Sequence, residues 1–92
     1  MSGPLSGLRI IDLTMVVSGP MATMILGDQG ADVIKVETPG VGDFVRATGN
    51  RQGGLPATFL NSNRNKRSIT IDLKNPRGLE VFMRLAQSAD AV

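Results

Sequence analysis

Apolar and polar positions along this chain alternate between strand-like and helix-like spacing. Leu8 to Leu13, LRIIDL, is dense in Ile and Leu, which predicts a strand covered on both faces. Thr14 to Gly19 follows as a turn, with Ser18 or Gly19 as N-cap and Pro20 at the first helical position. A short helix is predicted from Met21 to Gln29, and Gly30 stands where a left-handed C-terminal stop belongs. Asp32 to Glu37, DVIKVE, is a second strand. Two apolar strands joined through a helix are most simply parallel neighbours in a right-handed βαβ unit. Residues 1–7, rich in Gly, Pro and Ser, form a lead-in expected to be mobile.

From Thr38 to Arg67 the periodicity lapses into glycines and prolines. A loop of that length in a compact domain is functional or holds an element of its own. A short helix is predicted from Pro56 to about Ser62, the rest forming a flap. Ser68 to Leu73 then alternates, with Ile69, Ile71 and Leu73 on one side and Ser68, Thr70 and Asp72 on the other. That period predicts a strand with one exposed face, near a sheet edge. Asn75-Pro76 caps and opens a helix whose apolar stripe is Leu79, Phe82, Met83 and Ala86. Glu80 and Arg84 form an i,i+4 pair on its wet side. Asp90-Ala-Val reads as the start of a further strand, so the chain is expected to be the N-terminal part of a larger α/β domain.

Composition narrows the chemistry. Ninety-two residues make one small domain at most, and a hydrophobic content of 41% argues against disorder. Three Phe are the only aromatics, so the core must be aliphatic and Met-filled. With no Cys and no His, thiol chemistry, cysteine metal sites and an imidazole base are excluded within these residues. No apolar run reaches the length of a membrane span and no signal peptide is visible, so a cytoplasmic location is expected.

Charge is unevenly placed. Residues 1–43 hold two cations against five carboxylates, a net −3, whereas residues 44–77 hold seven cations against Asp72 alone, a net +6. A basic segment suggests an anionic partner, and a solvated face is an equal alternative. Within it, NSNRNKRSI places Arg64, Lys66 and Arg67 among asparagines, a pattern suited to phosphate contact. Nucleic acid is the rival, though Phe59 is the only aromatic near enough to stack on a base.

The TMVVSGP turn offers backbone N–H groups and a helix dipole to a phosphate. It lacks both G-x-x-x-x-G-K and G-x-G-x-x-G, so taken alone a plain strand-to-helix connection is the stronger reading. Asp12, Glu37 and Asp43 stand near strand ends, where paired carboxylates could do acid–base work, but an exposed or capping role is much the stronger reading for each. Lys35 lies inside the second strand, placed to pair with an acid.

In order and spacing, LSGLRIIDLT, SGPMATMILGDQGADVIKVETPGVGD and NSNRNKRSITIDLKNPRGLEVFMRLAQSADAV resemble the N-terminus of the family III CoA-transferases, a group that includes the α-methylacyl-CoA racemases. The resemblance runs from Leu5 to the last residue. It implies a Rossmann-like large domain that binds coenzyme A as acyl-CoA, a carboxylic acid as second substrate, and an interlocked homodimer. It implies no metal, nucleic-acid or membrane partner. By motif, Val17 and Ser18 border the CoA, Ile71, Asp72, Leu73 and Lys74 flank its adenosine, and Lys74 faces phosphate. Many members carry Arg where this chain has Thr38, a CoA-facing position. The family's nucleophile is an aspartate beyond Val92 that forms an aspartyl-CoA thioester. The racemases use an Asp/His pair instead, and nothing in these residues separates the two outcomes.

Overall fold

The computed structural model describes residues 3–15, 18–40, 51–52, 55–56 and 63–92. Strands β1 (Arg9–Asp12), β2 (Asp32–Glu37) and β5 (Lys66–Thr70) form a three-stranded sheet in the order β1-β2-β5. Both pairings are parallel, with Ile11 opposite Ile34 and Val36 opposite Ile69. β3 (Arg51–Gln52) and β4 (Leu55–Pro56) make a separate antiparallel ribbon. Helix α1 (Ser18–Asp28) links β1 to β2, and helix α2 (Pro76–Gln87) follows β5. The arrangement is Rossmann-like α/β. A parallel bridge from Ile10 to Ala91 places the residues after α2 beside β1, on the side away from β2.

The first βαβ unit matches its pattern. β2 spans the predicted residues, and α1 begins at Ser18, one of the two expected caps and three residues before the predicted start at Met21. Gly30, at φ 103°, ends α1 in a Schellman motif. Its N–H bonds the Gly27 carbonyl at 3.0 Å, and the Ala31 N–H bonds that of Leu26 at 3.2 Å. The lead-in is docked rather than loose: the Leu5 N–H donates to the Gln29 carbonyl at 2.9 Å, satisfying a group left over at the helix end.

The third strand lies two residues nearer the N-terminus than the alternation predicts, and it does form a sheet edge. Pairing with β2 fixes this. Thr70 is opposite Glu37, the last residue of β2; the Ile71 N–H makes one more bond to the Glu37 carbonyl at 3.0 Å, and the chain then turns. Asn75 caps α2 as expected, its side chain accepting from the Arg77 N–H at 2.9 Å. The packed stripe differs. Phe82, Leu85 and Ala89 lie on the buried cluster of Ile11, Ile34, Val36 and Ile71, while Leu79 and Met83 remain about half exposed, at 47% and 52%. Gly78 sets this rotation, because the Asp72 carbonyl packs directly against it. Gly78, Phe82, Leu85 and Ala89 then follow at the four-three-four spacing of one contact line.

The expected helix does not begin at Pro56, which belongs to β4, and residues 57–62 lie outside the described residues, as does most of the predicted flap. No helix among the described residues is long and apolar enough to cross a membrane.

Candidate functional site

Because β1, β2 and β5 run parallel, the segments that follow them leave from one edge of the sheet. Ligands of open α/β sheets bind at this carboxyl edge. A cleft of about 80 Å³ lies there. Leu13, Thr14 and Met15 form one wall, Lys35 to Thr38 the floor, and Ile71 and Leu73 the other wall. Small-molecule sites usually enclose roughly 300–1,000 Å³, so this cleft alone is too small to enclose a ligand. A larger cavity of about 520 Å³ flanks β1 on its other side, between α1 and Ala91. Leu13 and Thr14 line both.

Thr38, Ile71 and Leu73 thus meet at one cleft. Ile71 is 5% exposed and belongs to the core, so it shapes the wall from beneath. Asp72 turns its carboxylate inward on its own loop, accepting from the Lys74 N–H at 3.0 Å. Lys74 follows Leu73 and is exposed. Ser18, also exposed, opens α1 three residues after Met15. Val17 lies outside the described residues.

Beneath the cleft the structure holds something the hydrophobic pattern hides. Apolar runs such as DVIKVE predict strands greasy on both faces, yet the face turned to α1 carries charge. Parallel register aligns Asp12, Lys35 and Ser68 in one row across the sheet. Lys66 Nζ lies 2.8 Å from Asp12 Oδ2, their side chains 2% and 0% exposed. The same ammonium donates to Asn63 Oδ1 at 2.7 Å and to the Pro20 carbonyl at 2.9 Å. Asp12 Oδ1 accepts the Thr14 N–H at 2.8 Å and the Thr14 hydroxyl, and its Oδ2 accepts the Thr23 hydroxyl at 2.8 Å. Lys35 Nζ donates to the Thr14 carbonyl at 3.1 Å, and the Ser68 hydroxyl donates to Glu37. Burial alone would push the Asp12 carboxyl up; the bonds from Lys66, Thr14 and Thr23 outweigh it and hold Asp12 below the usual carboxylate range.

The basic run is mostly engaged internally. Arg64 pairs with Asp28 at 2.8 Å, Lys66 with Asp12, and Arg67 with Asp32 at 2.7 Å, so cations of the basic segment meet carboxylates of the acidic half. Arg64 and Arg67 stand at the amino edge of the sheet, away from the cleft. These internal pairs compete with phosphate for the trio, Lys66 most of all because its side chain is buried. Among the described residues Lys74 and Arg77, beside the start of α2, are cations with no carboxylate partner. The same residues offer no group of three His, Cys, Asp or Glu placed to hold a metal.

The sequence profile of CoA-transferase family III matches residues 5–92. The chain belongs to this family. It is 52% identical over 88 residues to succinyl-CoA:glutarate CoA-transferase of Mus musculus, covering 95% of this chain and 20% of that protein. It is 47% identical over 93 residues to formyl-CoA:oxalate CoA-transferase of Rhodopseudomonas palustris (strain BisB18), covering all of this chain and 22% of that one. A CAIB/BAIF family protein from Brucella suis superposes with a TM-score of 0.89 at 41% identity, over 98% of this chain and 25% of its own. This member of CoA-transferase family III thus spans about a fifth to a quarter of the length of such relatives.

Proposed function

We propose that these residues form part of the acyl-CoA site of a family III CoA-transferase, which moves CoA from an acyl-CoA to a carboxylic acid. One observation carries this reading: the turn after β1, Thr38 and the loop Ile71–Lys74 converge on one edge of a parallel sheet. The cleft suits one end of a long ligand. Thr38 and Leu73 flank the adenosine, Ser18 and Val17 border the CoA further along, and Lys74 supplies the cation for a phosphate. The curated relatives described above are CoA-transferases acting on dicarboxylic or formyl/oxalyl thioesters, which favours transfer over racemisation. In this reading an aspartate outside these residues attacks the thioester carbonyl and expels CoA thiolate, leaving an acyl-aspartyl anhydride; the thiolate then attacks the aspartyl carbonyl, which releases the donor carboxylate and forms an aspartyl-CoA thioester.

Titration of CoA into the full-length protein tests the site. Lys74→Ala weakens affinity by about ten- to a hundredfold, as loss of a charged contact predicts. Unchanged affinity removes Lys74 from the site. Mass spectrometry of the protein incubated with acyl-CoA reads the chemistry: a covalent CoA adduct marks a transferase, whereas proton exchange α to the thioester without an adduct marks a racemase.

A further inference from the structure

We infer that Lys66 and Asp12 are positioning residues for acyl-CoA binding, acting through Thr14 and the first turn of α1. This rests on the CoA-binding reading above. The Lys66 ammonium has three protons, and three acceptors stand within 2.9 Å of it: Asp12 Oδ2, Asn63 Oδ1 and the Pro20 carbonyl. Asp12 in turn holds Thr14 by both its N–H and its hydroxyl, and Lys35 holds the Thr14 carbonyl. Every polar group of Thr14 is thus gripped by a buried charge, and Thr14 lines both the cleft at the carboxyl edge and the cavity beside β1. Thr23 ties the same carboxylate to α1.

A buried ion pair is by itself weak evidence of a stabilising role. Apolar residues of similar volume commonly serve as well as a buried ion pair. They cannot fix the backbone of two segments at once, one on β1 and one on α1. Neither charged group needs to touch the ligand. Their effect is to hold the wall of the site in one geometry, so that binding does not first have to order it.

The experiment uses full-length protein and three forms: unaltered, Asp12→Leu combined with Lys66→Met, and Thr23→Val. Removing both charges together avoids leaving one buried and unpaired. The double variant is expected to melt close to the unaltered protein, while its KM for acyl-CoA rises about tenfold and kcat changes far less. Thr23→Val, which removes one hydroxyl from Asp12, is expected to raise the same KM about threefold. A folded double variant with unchanged KM overturns the inference, because the pair would then be structural only. Should the double variant fail to fold, Thr23→Val decides alone, and an unchanged KM there overturns it equally. If the unaltered protein binds no acyl-CoA, the functional reading fails first, and this inference falls with it.

Discussion

The carbonyl oxygen of Asp72 occupies the space a side chain on Gly78 would need: a Cβ built there falls 2.0 Å from it. Two features meet at this contact. It closes the turn Ile71–Asn75, in which the Asn75 N–H also bonds the Asp72 carbonyl at 3.1 Å, and it sets which face α2 lays on the sheet. Gly78→Ala would normally favour a helix by about 0.5–1 kcal/mol. Here backbone must shift, and overpacking of this kind costs about 1–3 kcal/mol. The expected result is a net loss of stability in denaturant melts of the full-length protein, together with weaker CoA binding at the proposed site as the wall of Ile71 and Leu73 moves.

Much of this was legible in the residues. LRIIDL and DVIKVE each show a buried strand, and the turn, helix and Gly30 between them leave little choice but a parallel βαβ unit. Asn75-Pro76 announces α2 by capping chemistry alone. The stripe of α2 was misread because periodicity gives a set of apolar residues and not the rotation of the helix, which Gly78 decides. Charge was harder still. Lys66 belongs in sequence to a basic run, and only the register of β5 against β2 puts it on the α1 face, the face that Asp12 also occupies. One signal was present: residues 1–43 are acidic where residues 44–77 are basic, and opposite halves of one sheet can neutralise each other as readily as they attract a ligand.

Breaking the buried pair on one side should be far worse than removing it. Lys66→Met leaves the Asp12 carboxylate without its cation in a site closed to water, a change that typically costs about 3–5 kcal/mol. Adding Asp12→Leu should recover most of that loss. Chemical denaturation of both variants, each as full-length protein, checks the non-additivity. A double variant as unstable as Lys66→Met would show that the hydrogen bonds to Thr14 and Thr23, rather than the charges, hold the two segments.

Acid should loosen the same region. Asp12 and Asp32 are each subject to burial, which raises a carboxyl, but their hydrogen bonds prevail and both lie below the ordinary range; for Asp32 the donors are Arg67 and Arg9. Asp28 is lowered by Arg64 and Asn65. A carboxylate depressed in the folded state contributes stability above its unfolded value, near pH 4, and that contribution is lost as pH falls through the folded value. Melting temperature should therefore fall progressively below about pH 4. The Asp12→Leu, Lys66→Met variant should show a shallower fall, since the buried carboxylate is gone; an identical acid limb would move the effect to the exposed pairs.

At Thr38 the resemblance to the family leads one to expect an arginine, and that residue can be put there. Its side chain is exposed and lines the cleft directly after β2, between the walls made by Met15 and Leu73. Glu37, just before it, is buried and takes the Ser68 hydroxyl, so an arginine at 38 would stand on a fixed backbone. Lys74 and Arg77, which among the described residues form no ion pair with a carboxylate, follow on the loop and first helical turn after the Ile71–Leu73 wall. A guanidinium at position 38 adds a charged, potentially bidentate contact to phosphate, worth about 1.5–3 kcal/mol. Thr38→Arg in the full-length protein is therefore expected to tighten CoA by about ten- to a hundredfold in calorimetric titration. The gain should shrink at high salt and be much smaller for a pantetheine thioester without the nucleotide. Equal tightening of both ligands would place position 38 at the thioester end instead, and no tightening of either would take it out of the site.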